Sequence, residues 1–102
     1  MYRGTTPTVT FTVPFDTTLV DTVNIAFAQY MDMAYKLIFE KEEDTFAENN
    51  KVVSKLTQAE TLKLKEDMPV FIQLRVVFND GNRAASNIVQ TDVGRILKDG
   101  VI

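Results

Sequence analysis

The stretch from Val70 to Asn79 constrains this chain more than any other, because it alternates without a break. Val70, Ile72, Leu74, Val76 and Phe78 fall on one side of an extended backbone, and Phe71, Gln73, Arg75 and Val77 on the other. Side chains along a strand alternate with a period of two, so the first row reads as the inner face of a half-buried strand. The strand runs into Asn79-Asp80-Gly81-Asn82, where Asp-Gly supplies the positive φ angles that a tight hairpin needs. A return strand over roughly Arg83 to Val93 follows from that turn.

The same period recurs upstream. Thr8 to Val13 alternates polar and β-branched or aromatic residues until Pro14 ends it. From Thr22 to Gln29, Val23, Ile25 and Phe27 share one face and Asn24, Ala26 and Ala28 the other. Met31-Asp32-Met33 closes a hairpin into Ala34–Lys41, with Tyr35, Leu37 and Phe39 on one side and Lys36, Ile38 and Glu40 opposite. Residues 42–50 read as an acidic loop with room for a helical turn. Lys51 to Thr57 is a further strand, Val52 and Leu56 inward and Val53 toward an edge. Thr57-Gln58-Ala59-Glu60 has capping-box spacing, which predicts one short helical turn that lets Leu56, Leu62 and Leu64 reach the core together.

Strong helix formers cluster nowhere for long. Six or seven short strands, with turns roughly every 8 to 12 residues, predict an all-β fold: an antiparallel β-sandwich of immunoglobulin-like type, with a small β-barrel as the alternative. At 102 residues there is room for one domain and one core, spanning residues 1–102.

Composition narrows the chemistry. Histidine, cysteine and tryptophan are absent, which removes imidazole acid–base catalysis, thiolate nucleophiles, disulfides and Cys/His zinc sites. No cofactor motif is present, and an enzyme would have to run on carboxylates, Lys, Tyr or Ser/Thr. The expectation is a chain that is not an enzyme and needs no cofactor or metal. A net charge of −3 disfavours nucleic acid, whose phosphates call for a concentrated basic face. No apolar run is long enough for a membrane-spanning helix, and Met1-Tyr2-Arg3-Gly4-Thr5 lacks a signal-peptide stretch, so the expected location is a cytoplasm.

Three features could carry a function. Glu40, Glu42, Glu43, Asp44 and Glu48 cluster in sequence, and carboxylates at close spacing can hold calcium. The stretch lacks the glycine turn of a calcium loop, and Lys36, Lys41, Lys51 and Lys55 lie nearby, as on a solvated surface of mixed charge. Gln73 and Arg75 share the outer side of the strongest strand with Phe71 and Val77, and Ser86, Asn87 and Gln90 come opposite across the hairpin. Two readings stay open: a polar recognition patch anchored by the planar guanidinium of Arg75, or a cross-strand ladder that satisfies its own groups. Ile96, Leu97, Val101 and Ile102 give the C-terminal end an apolar character that suits either capping this chain's core or docking on a neighbouring copy.

Several short motifs occur in a fixed order. They are Tyr2-Arg3-Gly4-Thr5-Thr6-Pro7, Phe27-Ala28-Gln29, Leu56 to Leu62, Ile72-Gln73-Leu74-Arg75, Asp80-Gly81, Ala85-Ser86-Asn87-Ile88 and Ile96 to Ile102. Together they resemble a family of roughly 100-residue structural proteins from tailed bacteriophages and prophages of Gram-positive and gut bacteria. The chain departs from that pattern at Tyr30 to Met33, where a small glycine-containing turn would be expected. The resemblance implies a virion component, tail or baseplate associated, that works by protein–protein contacts. Its partners would be further copies of itself or a larger phage protein, met in the host cytoplasm and then in the particle. A sugar- or cell-surface-binding sandwich is the alternative. Against it, the candidate aromatic platforms reduce to Tyr2, Tyr30, Phe46 and Phe71.

Overall fold

The structure, a computed structural model, describes residues 1–42 and 45–102, without the side chains of residues 45 and 46. It is an all-β antiparallel sandwich with, among the described residues, eight strands: β1 (Thr8–Thr12), β2 (Val20–Met31), β3 (Ala34–Lys41), β4 (Thr45–Glu48), β5 (Lys51–Lys55), β6 (Pro69–Phe78), β7 (Arg83–Ala85) and β8 (Val89–Asp92). One sheet has the order β1-β5-β4 and the other β3-β2-β6-β7, with β8 also paired to β6. Two open-edged sheets stand where a closed barrel was the alternative.

The count exceeds the expected six or seven strands for two reasons. A strand, β4, occupies part of the stretch expected to be loop, and it turns into β5 at Asn49 and Asn50, both with φ in the left-handed region (52° and 60°). Asparagine tolerates that conformation, so the turn needs no glycine. Residues 43 and 44, which carry Glu43 and Asp44 of the acidic cluster, lie outside the described residues. The expected return strand is broken in two at residues 86–88. There the Leu74 N–H donates to Ser86 Oγ (3.0 Å) and the Ser86 N–H to the Leu74 carbonyl (2.8 Å), so a side chain replaces one ladder acceptor.

The inward rows meet in one core. Ile25, Phe27, Val52, Leu56, Leu64 and Val70 are fully buried, with Phe39, Ile72, Leu74, Val76 and Val93 closing around them. Phe27 and Phe39 stack at 4.4 Å between ring centroids. The capping box forms at one α-helical turn, α1 (Gln58–Thr61): Thr57 Oγ1 accepts from the Glu60 N–H and Glu60 Oε1 from the Thr57 N–H. Leu56 and Leu64 drop into the core as expected, while Leu62 remains half-buried.

Two buried polar groups tie loops to this core. Gln29 is fully buried on β2 and grips the backbone of Lys65, Nε2 donating to its carbonyl (2.9 Å) and Oε1 accepting from its N–H (2.8 Å). The Lys41 ammonium is buried against Glu60 Oε1 at 2.7 Å, so β3 is bound to the helical turn. At Glu60, burial alone would raise the carboxyl pKa. Hydrogen bonds from Lys41 and the Thr57 N–H, with the Lys41 charge, outweigh that and hold it below 4.5.

Candidate interaction face

The outer face of the larger sheet is where the unabsorbed features gather. The β2–β3 ladder slips by one residue: Phe27 pairs with Phe39 but Ala28 pairs with Leu37, leaving Ile38 as the extra residue of a bulge. A one-residue slip moves the following side chains to the opposite face. The expectation that Tyr35, Leu37 and Phe39 share a face is therefore corrected: Phe39 is buried, whereas Tyr35 and Leu37 are 59% and 57% exposed on the outside. Tyr30, 48% exposed, meets Tyr35 edge-to-face at 5.1 Å, and Tyr35 meets Phe71 edge-to-face at 5.0 Å. Ala26 and Ala28, in register with Gln73 and Phe71, provide a low floor between these walls. The result is an exposed apolar cluster on three adjacent strands, of the sort that marks contact surfaces.

The other end of the same face is charged. A concavity of about 290 Å³ is lined by Thr22, Asn24, Glu40, Glu42, Arg75 and Arg83, among others. Asn24 Nδ2 donates to Glu42 Oε1 (3.3 Å) and Glu40 Oε1 (3.5 Å). Arg83 Nη1 donates to the Gly81 carbonyl (3.2 Å) and pairs with no carboxylate among the described residues. Arg75 is exposed, and its guanidinium makes no hydrogen bond or ion pair among the described residues.

The two readings of the Gln73/Arg75 pair therefore divide between the residues. Gln73 is a ladder member, its Nε2 donating to the Ser86 carbonyl at 3.0 Å. Arg75, two residues on, is the unspent donor. Asn87 does not join them. It sits in the break between β7 and β8 and lines a separate groove of about 430 Å³, with Phe11, Phe15, Leu74 and Ala84, where β1 and β7 flank the opening between the sheets.

The C-terminal set divides as well. Ile96 is half-buried against Leu62 beside Gly4, where an added Cβ would lie 3.1 Å from Ile96 and 3.3 Å from Leu62. Leu97, Val101 and Ile102 are fully or largely exposed. Asp99 pairs with Arg3, whose other nitrogens donate to the Leu64 (2.7 Å) and Leu62 (3.0 Å) carbonyls. Arg3 thus joins the N-terminal lead, the loop after α1 and the tail, a role nothing in its polar surroundings in the sequence announces. Tyr35 and Leu37 were likewise hidden, since only the bulge exposes them. The side chain of Phe46, counted among the candidate platforms, lies outside the described residues.

Among the described residues no group of three or more Asp or Glu is placed to hold a metal ion, and no helix is long and apolar enough to cross a membrane. Compared with known proteins, the chain stands apart: no family model, no curated protein and no solved structure matches it.

Proposed function

We propose that this protein is a non-catalytic structural or assembly component of a tailed bacteriophage particle, acting by protein–protein contacts through the outer face of its larger sheet. The observation that carries the contact role is the pairing, on one face, of exposed Tyr30, Tyr35 and Leu37, packed beside half-buried Phe71, with the unpartnered Arg75 side chain. Aromatic residues and arginine are the types most enriched where protein surfaces meet. The phage assignment rests on the ordered motifs in the sequence, and it carries the location with it: host cytoplasm during assembly, then the virion.

Strand order supports an immunoglobulin-like reading of the sandwich. Strands β1, β5 and β4 take the B, E and D places, and β3, β2, β6 and β7 take C′, C, F and G. The parallel bridge between Tyr2 and Gly94 adds the N-terminal lead beside the last strand.

Mass spectrometry of density-purified particles, from a host strain carrying the gene, tests the proposal. The chain should band with the particles at a fixed copy ratio, and Tyr35→Asp should lower that ratio. Particles that lack the chain overturn the reading. The exposed tyrosine pair also offers a stacking surface for a sugar; a glycan array bound by the wild type and not by Tyr35→Asp would establish that second reading instead.

A further inference from the structure

We infer that the outer face of the five-stranded sheet docks on a second copy of this chain, face to face, about a two-fold axis parallel to β2 and β6. This rests on the contact role proposed above and gives that face its occupant.

The charge layout selects the partner and the axis. Register places Asn24 opposite Arg75, and Asn24 Nδ2 also reaches Glu42, so these three span one row across the sheet. Glu40, opposite Ala26, and Arg83, opposite Val77, lie within two residues of that row. Acid therefore sits on the β3 flank and base on the β6–β7 flank, with Glu42 and Arg75 at the same height along the strands, Glu40 two residues toward the aromatic end and Arg83 two residues the other way. A rotation about an axis parallel to the strands keeps the height and exchanges the flanks. It brings Glu42 of the partner subunit to the β6–β7 flank at the height of Arg75, two residues from Arg83, with Glu40 of the partner subunit on the aromatic side of it, and does so twice, once for each copy. The same rotation lays Tyr35 and Leu37 across from the Phe71 side of the apolar cluster. An in-plane axis perpendicular to the strands would instead set both arginines over the aromatic end. A self-complementary patch of this kind is what a closed two-fold interface requires.

Size sets how strong the pairing is. Strand β6 has 10 residues, so the face runs about 33 Å along the strands, and its four strand positions span about 19 Å. That is on the order of 600 Å² per partner, somewhat below the roughly 800 Å² of a standard stable interface. The dimer should accordingly be reversible and concentration-dependent, and weaken in high salt.

Sedimentation equilibrium of the full chain, from micromolar to millimolar, provides the test. The wild type should pass from one chain mass to two. Arg75→Glu/Arg83→Glu and Glu40→Lys/Glu42→Lys should each remain monomeric over that range, since each sets like charges opposite one another. An equimolar mixture should recover the two-chain mass, because both contacts in the mixed pair are then attractive. Leu37→Arg, at the apolar end, should weaken self-association at least tenfold, with far-UV circular dichroism confirming that every variant is folded. A wild type that stays monomeric at millimolar concentration overturns the inference. So does a dimer that persists in both charge variants, or a mixture of folded variants that does not pair. A monomeric wild type that is nevertheless lost from particles by Tyr35→Asp would overturn the dimer and leave the assembly role standing. A dimer absent from particles would do the reverse.

Discussion

Replacing Met33 by glycine should stabilise the protein. Met31 pairs with Ala34, so Asp32 and Met33 alone form the β2–β3 turn, with φ of 53° and 65°. Both central residues of a two-residue turn of this kind need positive φ, and glycine is the usual occupant of the second. A residue with a Cβ held there carries about 1–2 kcal/mol of steric cost. Glycine removes that cost, but its unfolded chain is freer, which returns about 0.5–1 kcal/mol. Met33 is 90% exposed, so its side chain contributes no packing that would be lost. The steric term wins by about 0.5–1 kcal/mol, or roughly 3–6 °C in melting temperature for a domain of this size. Thermal unfolding followed by circular dichroism reads the difference, with Met33→Ala as the control that retains the Cβ. If the alanine variant were as stable as the glycine variant, the turn geometry, and the register that depends on it, would be wrong.

Gln29→Leu keeps the volume but leaves the Lys65 N–H and carbonyl without their partner, and should cost about 2–4 kcal/mol in urea unfolding. Gly94→Ala would bring a Cβ within 2.5 Å of the Tyr2 ring; displacing that ring should cost about 1 kcal/mol, again read by urea unfolding. Acid should act through Glu60, whose folded-state pKa lies below 4.5. A depressed carboxyl contributes stability that is present above its unfolded value and disappears as pH falls through the folded one. Glu60→Gln should therefore shrink the loss of stability between pH 7 and pH 3, and an unchanged loss would count against the Lys41–Glu60 pairing.

What could be read from the sequence followed from local rules that nothing overrides. The row from Val70 to Phe78 is uninterrupted, so its inner face was legible, and the Thr57/Glu60 spacing defines its own turn. The misses are places where one residue changes the rule. Ile38 reads as an ordinary member of an alternating strand, yet as a bulge it turns Tyr35 and Leu37 outward and creates the apolar end of the face. Ser86 reads as a ladder residue, yet its hydroxyl stands in for a backbone acceptor and divides the return strand. In the acidic stretch, charge masked the paired asparagines Asn49 and Asn50, whose tolerance of positive φ makes β4 and β5 a hairpin. Arg75 was found as a candidate because it interrupts an apolar row. That Gln73 is satisfied while Arg75 is not depends on where Ser86 lies, which is a tertiary fact.

The central claim is that the outer face of the β3-β2-β6 sheet is the working surface. Backbone amide shifts, followed by NMR as protein concentration rises, test it most directly. Changes should concentrate at Ala26, Ala28, Tyr35, Leu37, Phe71 and Arg75, leaving Leu97 to Ile102 and Thr8 to Thr12 unaffected. Changes confined to the C-terminal tail or to the β1 edge would contradict it.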